Sequence, residues 1–159
     1  LVAIGRLLGI KGLTRCAGSD VFDVLRRRPA FAGRRIRVFF FGGREGAAEA
    51  AAAALVRENR GLEAAGALNP GFGDIAEISA APIIDAINAT RPDFLIAALG
   101  ASKGQAWIDA NLDRLNAPVI AHLGAVVDFT AGSISRAPVL FRRAGLEWAW
   151  RTISEPSLA

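Results

Sequence analysis

The sequence predicts an α/β fold: a mostly parallel sheet with helices on both faces. Three observations carry this. Strand-like and helix-like segments alternate along the 159 residues. The strongest strand candidates, in "RIRVFFFGG", "DFLIAALG" and "APVIAHLG", are continuously apolar, as strands covered on both faces are. Each of them ends in glycine and runs into a helical pattern. The length fits a single domain, 1–159, with a sizeable core.

Taken in order, "LVAIGRLLG" reads as a short apolar helix. "GSDVFDVLRRR" follows as a helix capped by Ser19 or Asp20, with Arg26, Arg27 and Arg28 in a last turn whose dipole suits cations. "RIRVFFFGG" is the first clear strand, and Glu45 to Arg60 a helix ended by Gly61. "LEAAGAL" is a weaker strand, followed by the loop "NPGFGD". Residues 75–90 form a helix that must break or start late at Pro82. "DFLIAALG" then leads into a helix from Ser102 to about Leu115, and "APVIAHLG" into "AVVDFTAG". The tail "APVLFRRAGLEWAWRTISEP" suggests a helical pair interrupted at Gly145.

Composition narrows the function classes. The chain is 52% hydrophobic and 21% charged, with no apolar run of the roughly 18–20 residues that span a bilayer. It shows no secretory leader and no Met, so it is expected either to begin inside a longer reading frame or to have been processed, and its single cysteine fits a reducing cytoplasm. Its one cysteine, Cys16, excludes an internal disulfide and a Cys-based zinc site. A net charge of +4 favours anionic partners. The basic charge comes from arginine, with lysine only at 11 and 103, which together with abundant alanine reads as compositional bias rather than nucleic-acid binding.

Glycine-ended strands in a parallel sheet place their ends along one edge, where ligands bind. Glycine lets a ligand approach the backbone, and the following helix N-termini direct free N–H groups at an anion. Each terminus contributes only about 0.3–1 kcal/mol, so a site needs several. Gly42, Gly43, Gly100 and Gly124 are the candidates, with tight turns as the plain alternative. No Walker sequence is present. "GFGDIA", with Gly71, Phe72, Gly73 and Ala76, matches a dinucleotide pattern, but "NP" separates it from its strand and Asp93 begins the next strand instead of ending it. An NAD(P)-binding oxidoreductase is therefore a weaker reading. Lys103 and Gln105 fall in the helical turn after Gly100, where a lysine makes sense facing a phosphate or, equally, solvent. His122 reads as a packed neutral imidazole, and Asp128 as a ribose or base contact or a local cap. A non-catalytic reading, in which "LRRRPAFAGRRIRV" binds nucleic acid or an anionic membrane, lacks an interleaved aromatic platform.

Taken together, "RCAGSD" (15–20), "VFFFGGREG" (38–46), "GFG" (71–73), "PDFLIAALGASKGQAWI" (92–108), "APVIAHLGAVVDFTAGSISRAP" (117–138) and "GLEWAWRTISEP" (145–156) resemble the WecG/TagA/CpsF family of bacterial glycosyltransferases. The resemblance implies a Rossmann-like sheet and an inverting transfer without metal or other cofactor. An N-acetylmannosamine-type sugar would pass from a UDP-sugar to a polyprenyl-diphosphate-linked acceptor, as in the synthesis of enterobacterial common antigen, teichoic-acid linkage units or capsules. It implies partners of that kind and a peripheral place at the inner membrane surface; the residues themselves point away from nucleic acid, and they leave open how many chains associate, a homo-oligomer being one option. Arg15 matches the arginine of the family's first motif, a candidate to neutralise the leaving diphosphate, with Ser19 and Asp20 beside it. Lys103, Trp107 and Asp128 match family positions. The family's glutamine position is Gly104 here and its glutamate position is Gln105, so donor identity does not simply carry over. The family pattern also implies a general-base aspartate upstream of Leu1 and a basic appendage after Pro156. On that reading the 159 residues bind donor and turn over little or not at all. "VLFRRAGLEWAW" could meet a membrane interface or pack its tryptophans on the core.

Overall fold

The computed structural model describes residues 2–14, 16–135, 137, 138 and 141; Arg15 and the proposed helical pair of the tail, with Leu146, Trp148 and Trp150, lie outside them. Helices α1 (Val2–Leu7) and α2 (Gly18–Arg27) come first. Then follow β1 (Ile36–Gly42), α3 (Ala47–Glu58), β2 (Leu62–Leu68), α4 (Ala81–Ala89), β3 (Phe94–Ala98), α5 (Ala101–Asn111), β4 (Val119–His122) and α6 (Gly124–Ala131). The four strands form one all-parallel sheet in the order β2-β1-β3-β4.

The continuous apolar runs are explained by the two layers they join. Val38 and Phe40 of β1 pack with Phe94 and Ile96 of β3 against Phe22 of α2, the alanines of α3, and Val126 and Val127 of α6. Phe39 and Phe41 point the other way, with Leu95 and Ala97, against Ile84 and Ile87 of α4 and Trp107 and Ile108 of α5. A strand covered on both sides has no position for a polar residue, since each such residue would need a buried partner. Ala47, Ala48, Ala51 and Ala54 are buried; with no side chain beyond Cβ they let α3 lie close to the sheet, and alanine favours the helix intrinsically.

Several boundaries differ from the sequence expectation. The N-cap of α2 is Ala17, without a side-chain cap bond, so Ser19 and Asp20 lie inside the first turn. There Asp20 still complements the positive end of the helix dipole. Asn59, at φ 48°, terminates α3, not Gly61. Gly61 is needed for another reason: a Cβ there would lie 2.6 Å from the Leu25 carbonyl oxygen and 2.7 Å from that of Arg28. The 75–90 segment does start late, as Pro82 demands: a 3₁₀ turn at Glu77–Ser79 precedes α4, which has the proline in its first turn. Helix α5 stops at Asn111, with a 3₁₀ turn at Leu112–Arg114.

Candidate functional site

The strand order puts a switch point between β1 and β3. From β1 the chain turns to α3, which packs on one face, and on to β2; from β3 it turns to α5 on the other face, and on to β4. In sheets wound this way the loops after the two central strands diverge and leave a crevice at their carboxyl ends. The registers Phe41↔Leu68, Gly42↔Ala98 and Ala97↔His122 bring the ends of all four strands to that rim.

The glycine pair after β1 is explained mostly by packing. Gly42 sits at φ 87°, and a Cβ there would lie 2.8 Å from the Ala98 carbonyl oxygen. The Gly43 amide donates to that same oxygen at 2.8 Å, and a Cβ on Gly43 would press on Val127 of α6 at 3.2 Å. The pair therefore bends the chain across the end of β3 and admits α6. Its amides and faces are in use within the fold. The room lies elsewhere on the rim: Gly46 before α3, Gly71 in the loop after β2, and Gly100 before α5 would each carry a Cβ with nothing within 4 Å. Gly46 had no sequence signal beyond its place at the start of the alanine run.

Four helix N-termini share this rim. Helices α3, α5 and α6 start from Gly46, Gly100 and Leu123 without side-chain caps, so first-turn amides are left for other acceptors. Helix α2 joins them through Gly18, where a side chain would collide with Leu123. That contact sets Ser19 and Asp20 next to the end of β4, and Gly124 opens α6 beside them. Asp128 lies one turn further along α6, half-buried.

Lys103 is partly buried, and its Nζ donates to the Gly73 carbonyl. It thereby ties the first turn of α5 to the 69–74 loop. Asn69 anchors the same loop, donating from Nδ2 to the Gly43 carbonyl at 3.4 Å and accepting from the Gly71 amide at 3.0 Å. Reciprocal bonds between Asp74 and Glu77, both 2.8 Å, close its far end. Held at both ends, the loop presents Phe72 fully exposed. The "GFGDIA" glycines thus belong to a loop closed by a 3₁₀ turn, with no helix opening directly off the strand, which removes the dinucleotide reading. Asp93 also stands at the opposite rim, paired to Arg34 at 2.7 Å.

Gln105 is exposed, and its Nε2 donates to Asp109 Oδ1 at 3.0 Å, along α5 and away from the rim. Gly104 is buried against the His122 ring, where a Cβ would lie 2.7 Å from Nε2. Where the family pattern carries glutamine, then, this chain has a gap filled by imidazole. Nε2 of His122 is buried and makes no hydrogen bond among the described residues. Beneath the rim, Trp107 stacks on Phe41 at 4.4 Å and donates from Nε1 to the Ile78 carbonyl at 3.1 Å. Asn111, also buried, donates to Ser79 Oγ at 2.7 Å and to the Trp107 carbonyl at 2.8 Å. This lock between α5 and the 3₁₀ turn gave no sequence signal. Among the described residues, no three His, Cys, Asp or Glu side chains gather as metal ligands, and no helix is long and apolar enough to cross a membrane.

Comparison with known proteins follows the same lines. The model of the glycosyl transferase WecG/TagA/CpsF family matches residues 1–159. An N-acetylglucosaminyldiphosphoundecaprenol N-acetyl-beta-D-mannosaminyltransferase of Bacillus spizizenii is 29% identical over 157 residues, 99% of this chain and 58% of that protein. A protein of the same name from Staphylococcus aureus strain MW2 is 26% identical over 119 residues, 75% of this chain and 45% of the other. The chain spans about half the length of these curated relatives.

Proposed function

The chain belongs to the WecG/TagA/CpsF family of glycosyl transferases, and from that premise we propose that residues 1–159 are the donor-binding core of such an enzyme. The reaction is transfer of an N-acetylhexosamine-type sugar, N-acetylmannosamine or its uronate, from a UDP-sugar to a polyprenyl-diphosphate-linked acceptor. The substrates are those in the relatives' names, with UDP as the expected carrier. The enzyme works peripherally at the membrane that holds such an acceptor.

One observation supports this reading above the rest: uncapped helix N-termini open on both sides of the β1/β3 switch point, next to bare backbone at Gly46 and Gly100. As the glycosidic bond breaks, negative charge grows on the departing diphosphate. Fixed amide dipoles aimed at that charge stabilise it without reorganising, which is the most effective electrostatic help a site gives. The diphosphate lies between the N-terminus of α5 on one side of the switch point and those of α3 and α6 on the other, with Arg15, on the family resemblance, adding a cation. Phe72 offers an aromatic face for the base, and Lys103 acts by holding the loop that carries it. Asp128 and the first turn of α2 complete the donor contacts. Gln105 is an open case for chemistry, since its amide is directed to Asp109.

Calorimetry with UDP and UDP-N-acetylhexosamines tests the reading. Binding that weakens tenfold or more in Gly100→Val, with the fold intact by circular dichroism, is expected. No heat with any of these nucleotides overturns it.

A further inference from the structure

The amino-terminal rim of the same sheet carries a concavity of its own. A groove of about 810 Å³ opens between the end of α2, the loop before β1 and the end of α3. Arg27, Arg28, Arg34, Arg35, Arg37 and Arg60 line it, with Glu63 as its one acidic side chain among the described residues. These are six of the 17 arginines in the chain.

Arginine at a helix end is ordinary, because the exposed carbonyls there are negative. That explanation covers part of this cluster and leaves a remainder. The ends of α2 and α3 together supply roughly one negative charge. Glu63, which pairs with Arg35 at 3.1 Å and Arg37 at 3.2 Å, supplies another, and Asp93, paired with Arg34, a third. Asp23, 3.9 Å from Arg27, supplies a fourth, so six cations against about four negative charges leave an excess of about two. Arg28 and Arg60 carry much of it: neither side chain makes an ion pair among the described residues.

The walls are fixed before any ligand arrives. Phe31 and Arg34 exchange backbone bonds of 2.7 and 3.0 Å, closing a tight turn. The Leu25, Arg28 and Pro29 carbonyls lie against Gly61 so closely that no side chain fits there. Arg26 binds Glu58 through both nitrogens of its fork, tying α2 to α3. Groups held in place cost less to order on binding.

We propose that this groove is a second anion site, taking a soluble compound with two or more linked phosphates. Guanidinium forks match phosphate oxygens in pairs, and the volume falls within the roughly 300–1,000 Å³ of small-ligand sites. A bilayer suits it less. The seven residues of β1 separate the two rims by about 20 Å at roughly 3.3 Å per residue. Docking this rim on a membrane would hold the switch-point crevice away from a lipid-linked acceptor, an argument that rests on the proposed function; the phosphate site itself does not.

The test is titration of the protein with inorganic tripolyphosphate by calorimetry and amide NMR, beside co-sedimentation with phosphatidylglycerol vesicles. Expected are one site per chain, shifts centred on residues 28–35 and 59–63, and affinity that falls as salt rises. Arg28→Ala/Arg60→Ala should weaken it at least tenfold, Arg28→Lys/Arg60→Lys less, and both should leave unchanged the shifts that UDP produces at residues 100–104 and 124–128 of the opposite rim. Because both side chains are exposed, the fold is expected to survive, with circular dichroism as the check. Absence of binding, binding unchanged in the alanine variant, or shifts centred on residues 100–104 and 124–128 overturns the proposal. So does vesicle binding lost in that variant when tripolyphosphate shows no site.

Discussion

The two ends of the sheet are made from opposite materials. At the carboxyl-terminal rim the chain places glycines, helix N-termini and few charges: partial positive charge fixed in the backbone. At the amino-terminal rim it places full charges on long side chains, many of them paired. The first arrangement attracts an anion while leaving room for it and costs no side-chain ordering. The second attracts more strongly at a distance, but must give up existing pairs or use the arginines that have none. The contrast teaches that charge alone does not locate a reaction site. On the proposed function, the more basic rim is the less suited to the transfer, because the uncapped helix N-termini lie at the other one.

The largest effect that bears on this contrast comes from beneath the carboxyl-terminal rim. Trp107 is fully buried, stacked on Phe41 and bonded to the Ile78 carbonyl. Trp107→Ala should cost about 3–5 kcal/mol, enough to threaten folding, and urea denaturation measures it. A loss below about 1 kcal/mol would mean the rim is supported by other contacts.

Next comes the fit between Gly104 and His122. Gly104→Ala forces a methyl group into the imidazole and should cost about 1–3 kcal/mol by overpacking. Adding His122→Ala opens the space, so the double variant should recover part of that loss. Additive losses in the double-mutant cycle would show that the two residues do not share the space.

How much of this was readable beforehand follows from the range of each interaction. Strands β1 and β3 were legible because burial on both faces writes itself into consecutive residues such as Val38 to Phe41. The late start of α4 was legible from Pro82, since proline acts on its own turn. The glycine pair was legible as a turn, but its purpose was not: Gly42 is fixed by the Ala98 carbonyl, 56 residues away in sequence. Gly104 and His122, Lys103 and the Gly73 carbonyl, and Asn111 and Ser79 are likewise long-range pairs. The arginines were visible as composition. That six of them enclose one groove depends on α2, α3 and the strand starts meeting at one rim.

A smaller effect separates loop ordering from phosphate contact at the carboxyl-terminal rim. If Lys103 acts by holding the 69–74 loop, Lys103→Ala should weaken UDP binding about tenfold, roughly 1.4 kcal/mol, with stability nearly unchanged. Phe72→Ala should weaken it similarly, and the two losses should not add, because both remove the same presented ring. Calorimetry on the four proteins of the cycle decides the matter; fully additive losses would place Lys103 on the phosphate itself.

The smallest effect lies at the other rim and is read in acid. Asp93 accepts two bonds from Arg34, at 2.7 and 3.1 Å, and one from the Arg37 amide at 2.9 Å. The Arg34 guanidinium first, and the Arg37 amide after it, hold this carboxyl below the usual carboxylate range against the opposing effect of partial burial. The sign follows from linkage. A depressed native value means the ionised form is favoured in the folded state, so its contribution is fully present above the unfolded value near pH 4 and fades as pH falls through the native one. Wild-type stability should therefore decline between about pH 4 and pH 2 slightly more steeply than that of Asp93→Asn, which lacks the titrating group. The pair is largely exposed, so added salt should shrink the difference. Thermal unfolding across that range at low and high salt measures it. Parallel curves for the two proteins would mean that the arginines of this rim stand in place without help from Asp93, and that the groove owes its shape to the backbone around Gly61.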